Sequence, residues 1–314
     1  MPTAKENFIN RISSFEKIVS PFNPVDSVLI SRALTDVEHN EKVKMLRNGL
    51  AIIAFTILED FIKKKVGEIL KNIGLTTVSF SALPSKIREA ATVNALKGIQ
   101  NRADTLKRNA EDHISFIQNE TWYVSSTKDA VFEFSEFSLG WDKSNVSADD
   151  IKLFLGIFGV KDGWGKIQQV SSAISITLLN PGDIFKNAAQ RRHKAAHNVA
   201  ADSLLIDLQD FVTQAKVIAL GFDCLLTRSL KFITNNDVDF LNERKNIELS
   251  HLKFRFILEK NGRWKEYSST STRAVKTELS LATLQVQALI RARNNNEILV
   301  IKSASNQLID WYIP

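Results

Sequence analysis

Apolar residues recur along most of the chain at the three- and four-residue steps of an α-helix. From Ala4 to Val19, Phe8, Ile9, Ile12, Phe15 and Ile18 share one side. Pro21 and Pro24 then stop the pattern, because proline has no backbone N–H to donate. Asp36 to Asn72 contains no proline and carries Leu46, Leu50, Ile53, Ile57, Phe61 and Val66 at spacings of three to five, which predicts one long helix ended by Gly74. Ser85 to Ala110 predicts a second, with Pro84 just before it. Ile114 to Gly140 is rich in aromatics and follows no single period, so residues of about 113–146 read as a mixed insertion across the helices. Ser147 and Asp150 make a capping-box pair ahead of Ile151 to Leu155, and Trp164 to Ile176 continues helical. Asp183 is expected to cap Ile184 to Asn198. Asp202 is expected to cap a last long helix to about Ile233, with Leu204, Leu208, Phe211, Ala215, Ile218, Phe222 and Leu225 inward.

Beyond residue 245 the period shortens. Leu252, Phe254, Phe256 and Leu258 alternate as in a strand, and Asn261-Gly262 is a two-residue hairpin signal because both residues tolerate positive φ. Trp264 to Tyr267 reads as the return strand and Ser280 to Arg293 as a helix. Glu297 to Lys302 and Leu308 to Ile313 read as a second hairpin across Ser303 to Gln307. The expected fold is therefore mainly α: a helical domain over 1–245 with an inserted region, and a small basic α+β module over 246–314. A module of that size is near the limit for independent folding, so it is expected to dock on the helices.

Composition narrows the class. The 314 residues are 44% apolar and 24% charged, which excludes a wholly disordered, collagen-like or disulfide-scaffold chain. One cysteine, Cys224, permits no internal disulfide and points to a reducing compartment; in its apolar helix it reads as a small buried hydrophobe. No apolar run approaches the roughly 20 residues of a membrane helix, and the first residues lack a signal-peptide core. A soluble cytoplasmic protein is expected, with no membrane partner. The formal charge of +6 permits an acidic partner such as RNA. Much of that surplus lies in the tail, where Lys253, Arg255, Arg263, Lys265, Arg291 and Arg293, beside Trp264 and Tyr267, suit either RNA contact or protection of an exposed strand edge.

Candidate chemistry gathers in Gln190-Arg191-Arg192-His193-Lys194-Ala195-Ala196-His197-Asn198. At 100° per residue, His193 lies about 100° and His197 about 140° from Arg192, so all three project over one sector. A solvated basic helix end that complements the macrodipole is one reading. A metal site is another, since His-x3-His is a ligand spacing. Lys194, however, stands where the zinc-protease pattern needs glutamate, and its charge would repel a dication. Gly163-Trp164-Gly165-Lys166 resembles the end of a phosphate loop. Val160 replaces the required first glycine and Ile167 the required Ser or Thr, so ATP hydrolysis is not expected.

Arg192-His193-Lys194-Ala195-Ala196-His197 resembles the defining motif of the HEPN superfamily, and specifically its bacterial RiboL-PSP-HEPN group. That motif is an arginine, usually followed by a polar residue, with a histidine after four to six intervening residues. Two further segments are similar to the group. Arg47-Asn48-Gly49-Leu50 through Leu58-Glu59-Asp60-Phe61, with Lys63 and Lys64, looks like its early helix. Ser144-Asn145-Val146-Ser147 followed by Asp150 to Val160 looks like the segment before its motif helix. The resemblance spans roughly residues 25–235.

The resemblance implies a metal-independent endoribonuclease, needing no cofactor, that works as a homodimer with two motif helices facing across a cleft. It also implies a toxin or anti-phage defence setting, with an antitoxin or defence-system partner. In this chain His197 would be general base or acid and Arg192 the phosphate and transition-state stabiliser, with His193 orienting them or donating a second proton. Asn198 and Glu59 would support them, and Arg191, Lys194 and Lys63 would contact RNA. Glu59 has two readings, an i, i+4 ion pair with Lys63 or a carboxylate holding Arg192 across the helices. Some relatives are silenced by nucleotidylation of a tyrosine two residues after the motif histidine; Val199 stands there, so that control is not expected. The alternative is a non-catalytic HEPN module that binds RNA or protein.

Overall fold

The computed structural model describes residues 2–20, 29–139, 145–269 and 271–314. The chain is mainly helical and closes in a small five-stranded mixed sheet. No described helix is long and apolar enough to cross a membrane. Packing divides the chain into two compact units, residues 1–62, 164–224 and 249–314 in the first and 63–163 and 225–248 in the second. This division does not follow the expected boundary at residue 245, because the C-terminal sheet packs within the first unit. Pro21, Pro24, Gly140 and Ser144, invoked above, lie outside the described residues.

In the first unit, α1 (Ala4–Val19) begins at a capping box formed by Thr3 and Glu6. Ala4, Phe8, Ile12, Phe15 and Val19 are its buried stripe, while Ile18 is exposed. The long helix α2 (Val37–Gly74) starts where the Asp36 carboxylate accepts the His39 N–H at 2.9 Å. Its inward face is the expected one only in its second half. Ile57, Phe61 and Val66 are buried, but Leu46 and Ile53 are about half exposed. Val43, Arg47, Ala51, Ala54 and Leu58 turn inward instead, and the two alanines give a neighbouring helix room to approach.

The sheet has the order β3-β2-β1-β4-β5, with β1 (Phe254–Lys260), β2 (Arg263–Tyr267), β3 (Lys276–Glu278), β4 (Ile298–Lys302) and β5 (Leu308–Tyr312). Only the β1–β4 pair is parallel; helix α11 (Leu281–Asn295) makes the crossover it needs. Asn261 and Gly262 turn the β1–β2 hairpin with φ of 55° and 69°, as their sequence predicts. Ile257, Leu299 and Ile301 meet Leu284, Ala288 and Ala292 of α11.

Two expectations for the tail are corrected. β1 is central, so its basic residues guard no edge, and Arg255 and Arg291 are spent inside the module. Buried Arg255 donates through Nε to Glu297 (2.7 Å) and through Nη1 to Glu266 (2.6 Å). Arg291 reaches the same Glu266 through Nε at 2.8 Å. The docking residue is Trp311 on β5, fully buried against Phe8 and Phe61 at ring separations of 6.2 and 6.5 Å.

In the second unit, the segment read as one helix is α3 (Ser85–Glu89), a π-helical stretch (Ala90–Asn94) and α4 (Ala95–Arg108). The unassigned insertion contains α5 (His113–Ser126), capped by Asp112, and a 3-10 turn over Glu136–Leu139. Phe132 and Phe137 are buried in it. Helix α6 (Ala148–Ile157) starts at the expected Ser147–Asp150 capping box. Helix α7 (Gly163–Ala173) follows, its residues from Trp164 belonging to the first unit. Helix α8 (Pro181–His197) belongs to the first unit, α9 (Leu205–Thr234) passes from the first to the second at residue 225, and the short α10 (Val238–Leu241) lies in the second.

Candidate active site

Helix α8 presents the basic segment within the first unit. Its start differs from the expectation: Asn180, in the left-handed conformation at φ 49°, precedes Pro181 at the first helical position, and Asp183 lies inside the first turn. Phe185 anchors this half between Phe55 (5.1 Å) and Trp164 (5.7 Å). Gly182 lies so close to Trp164 that an added Cβ would come within 3.1 Å of the ring. The buried stripe Pro181, Phe185, Ala188 continues at helical spacing to half-buried Arg192 and Ala195. His193, Lys194 and His197 fall on the opposite side and are exposed.

The structure brings together six of the residues singled out from sequence, all on the last two turns of α8 or at its end. The imidazoles of His193 and His197 lie 4.7 Å apart between ring centres. Arg192 behaves unlike an ordinary surface arginine: its Nε is covered from solvent and has no hydrogen-bond partner among the described residues. Leaving a charged group's donor unsatisfied in the interior costs free energy, so such a group signals a demand other than stability. Arg191 stands 4.0 Å from Asp207, a loose surface ion pair. Asn198 is the C-cap, its N–H bonded to Lys194 O at 2.8 Å. Its Oδ1 accepts the Ala200 N–H at 2.9 Å, so its amide shapes the turn that leaves the helix.

Glu59 is buried on α2. It does not satisfy the Arg192 Nε, so the expected clamp is not made through that nitrogen. Lys63 lies one turn further along α2, in the second unit. Among the described residues no group of three or more His, Cys, Asp or Glu side chains is arranged to hold a metal ion.

What sequence reasoning missed is how the segment is held. Asn48 of α2 donates to Ala201 O at 2.7 Å and accepts from both the N–H and the hydroxyl of Ser203, at 3.1 and 3.0 Å. Next to it, buried Arg47 donates through Nε to Ile30 O at 2.7 Å. Burial, with Arg32 close by, holds the Arg47 guanidinium below its ordinary pKa, and Asp202 partly offsets this. Asp202 does not cap α9 as expected. It pairs with Arg32, and α9 begins beyond it, with Leu204 O taking the first helical N–H from Leu208. The signal for Asn48 was present, since it sits inside the early-helix segment quoted above, but spacing on one helix does not reveal a partner more than 150 positions away.

Three apolar side chains that follow the cluster in sequence are exposed. Val199 is 93% exposed, and Leu204 and Ile206 are more than half exposed. No family model, no curated protein and no solved structure matches the chain.

Proposed function

We propose that this protein is a metal-independent endoribonuclease of the HEPN type, with Arg192 and His197 as its catalytic residues. The observation that carries the reading is the guanidinium of Arg192, whose buried Nε has no partner among the described residues, one residue from a pair of exposed imidazoles 4.7 Å apart. Arginine stays charged at all relevant pH and binds a phosphate through two parallel N–H donors. Imidazole exchanges protons near neutral pH.

RNA carries its own nucleophile. His197 takes the proton of a 2′-hydroxyl as that oxygen attacks the adjacent phosphorus. The new O2′–P bond forms, negative charge accumulates on the phosphoryl oxygens against Arg192, and the P–O5′ bond breaks. His193 returns a proton to the departing O5′. The products are a 2′,3′-cyclic phosphate and a 5′-hydroxyl, and no external cofactor enters the balance.

Arg192 and His197 lie about 140° apart around α8, a wide angle for two groups that must act on one phosphate. A homodimer answers this, with Arg192 of one copy and His197 of the other sharing a cleft. Val199, Leu204 and Ile206 supply the apolar surface such a contact needs. An RNA-cleaving chain also requires an inhibitor or a trigger, which suits a toxin or an anti-phage effector in the cytoplasm.

The test is cleavage of mixed RNA by purified protein in EDTA, with Arg192→Ala and His197→Ala as comparisons. Cleavage in EDTA that both substitutions abolish is the expected result. Unchanged cleavage in both variants rejects the assignment. RNA binding by clean protein without any cleavage favours the non-catalytic HEPN module.

A further inference from the structure

The second unit holds a cavity of about 430 Å³, within the size range of small-molecule sites. Its walls come from α3, α6, the loop 159–163 and the segment that follows α10. Four lysines line it, Lys86, Lys152, Lys161 and Lys245, against two carboxylates, Asp162 and Glu243.

One of the two carboxylates, Glu243, is already committed. Glu243 accepts the Ser85 backbone N–H at the start of α3; the Ser85 side chain first, then this N–H, with Lys86 and Arg88 nearby, hold its pKa below the ordinary carboxylate value. Lys245 is bonded to Asp237 at 2.7 Å and seated over the Phe232 ring. Four lysines against two carboxylates leave the lining with a surplus of positive charge, and Lys152 and Lys161 present theirs on exposed side chains.

The floor is built to stay open. Gly156 lies one turn after Lys152 on α6, and a Cβ there would meet nothing within 4 Å. Gly159, at φ 75°, carries the loop past Phe240 so closely that a Cβ would fall 2.8 Å from the ring. Ile157, Val160 and Phe240 make the apolar part of the wall.

We propose that this cavity binds a small phosphate-bearing ligand, a nucleoside mono- or diphosphate, with the phosphates on Lys86, Lys152 and Lys161 and the base against the apolar wall. Inorganic phosphate matches the charge but fills a small part of the space. The site is separate from the α8 cluster and does not rest on the cleavage reading. It is also not the nucleotide-hydrolysing loop excluded on sequence, since binding here requires no Walker pattern.

The experiment titrates full-length protein with a fluorescent ADP analogue and displaces it with ADP, inorganic phosphate or a short RNA. Saturable binding displaced by ADP, and only weakly by phosphate or RNA, is expected. Lys152→Ala and Lys161→Ala should each weaken binding about tenfold, the loss of one charge-assisted hydrogen bond. Gly156→Leu, which fills the cavity, should abolish binding at an unchanged melting temperature. If that variant does not fold, the two exposed lysines still decide the matter. Absence of binding, equal binding by the lysine variants, or displacement by phosphate or RNA as effective as by ADP overturns the proposal.

Discussion

Asn48 and Ser203 are joined by two hydrogen bonds to one oxygen: the Asn48 Oδ1 takes the Ser203 N–H at 3.1 Å and the Ser203 hydroxyl at 3.0 Å. The carboxamide thus fixes the turn through which the chain leaves His197 and enters α9. Asn48→Ala should cost about 1–3 kcal/mol of stability, since buried polar groups lose their partner. If it positions the α8 end, RNA cleavage measured well below the melting temperature should fall mainly in kcat. Asn48→Asp, which keeps the doubly accepting oxygen, should recover part of that loss. Equal cleavage by folded Asn48→Ala and wild type refutes the positioning role.

Arg192 offers a test in which stability and activity move apart. Its covered Nε has no hydrogen-bond partner among the described residues, so the group is expected to add little to folding. Arg192→Met keeps the length of the stem and removes an unsatisfied donor, so thermal unfolding should occur at an equal or higher temperature while cleavage disappears. A large drop in melting temperature would instead make Arg192 a structural residue. Arg192→Lys retains charge without the planar fork and should retain only a small part of the rate.

Trp311 should be a stability residue of the whole first unit, although it lies three residues from the C-terminus. Its ring is fully buried and its Nε1–H donates to Asp223 at 2.7 Å. Trp311→Ala should cost about 3–5 kcal/mol. Trp311→Phe should cost about 1–3 kcal/mol, from the lost hydrogen bond to a charged group. Deletion of residues 249–314 should therefore destabilise the α1 and α2 packing rather than yield an intact helical domain; chemical denaturation of the truncated chain measures this.

Asp237 gives the second unit an acid-sensitive contribution. Its carboxylate is held below the ordinary value first by the hydrogen bond from Lys245, with the Phe240 N–H adding to it at the start of α10. A depressed carboxylate stabilises the fold above the unfolded pKa of about 4 and loses that contribution as pH falls through the lower folded value. Asp237→Ala should cost about 1–2 kcal/mol at pH 7, through the lost cap and ion pair. The gap from wild type in urea midpoints should narrow towards pH 3. A gap that stays constant between pH 7 and pH 3 would refute this linkage.

Local information was enough for much of the fold. Helices whose ends carry their own chemistry, such as the Ser147–Asp150 capping box, the Asn261-Gly262 turn and the stop near Gly74, were legible because every atom involved is within a few residues. Helical geometry alone set the angular steps between Arg192, His193 and His197, but not that Arg192 would continue the buried stripe while both histidines face solvent. Long-range packing decided the rest. Only the tertiary structure could choose between the two apolar faces of α2, because the choice depends on which helix approaches Ala51 and Ala54. Only it could spend Arg255 and Arg291 on Glu266, call Asp202 away from α9 to Arg32, and seat Trp311 against Phe8. In each case a charge or ring finds a partner far along the chain, and the free energy of that pairing outweighs the local preference visible in the sequence.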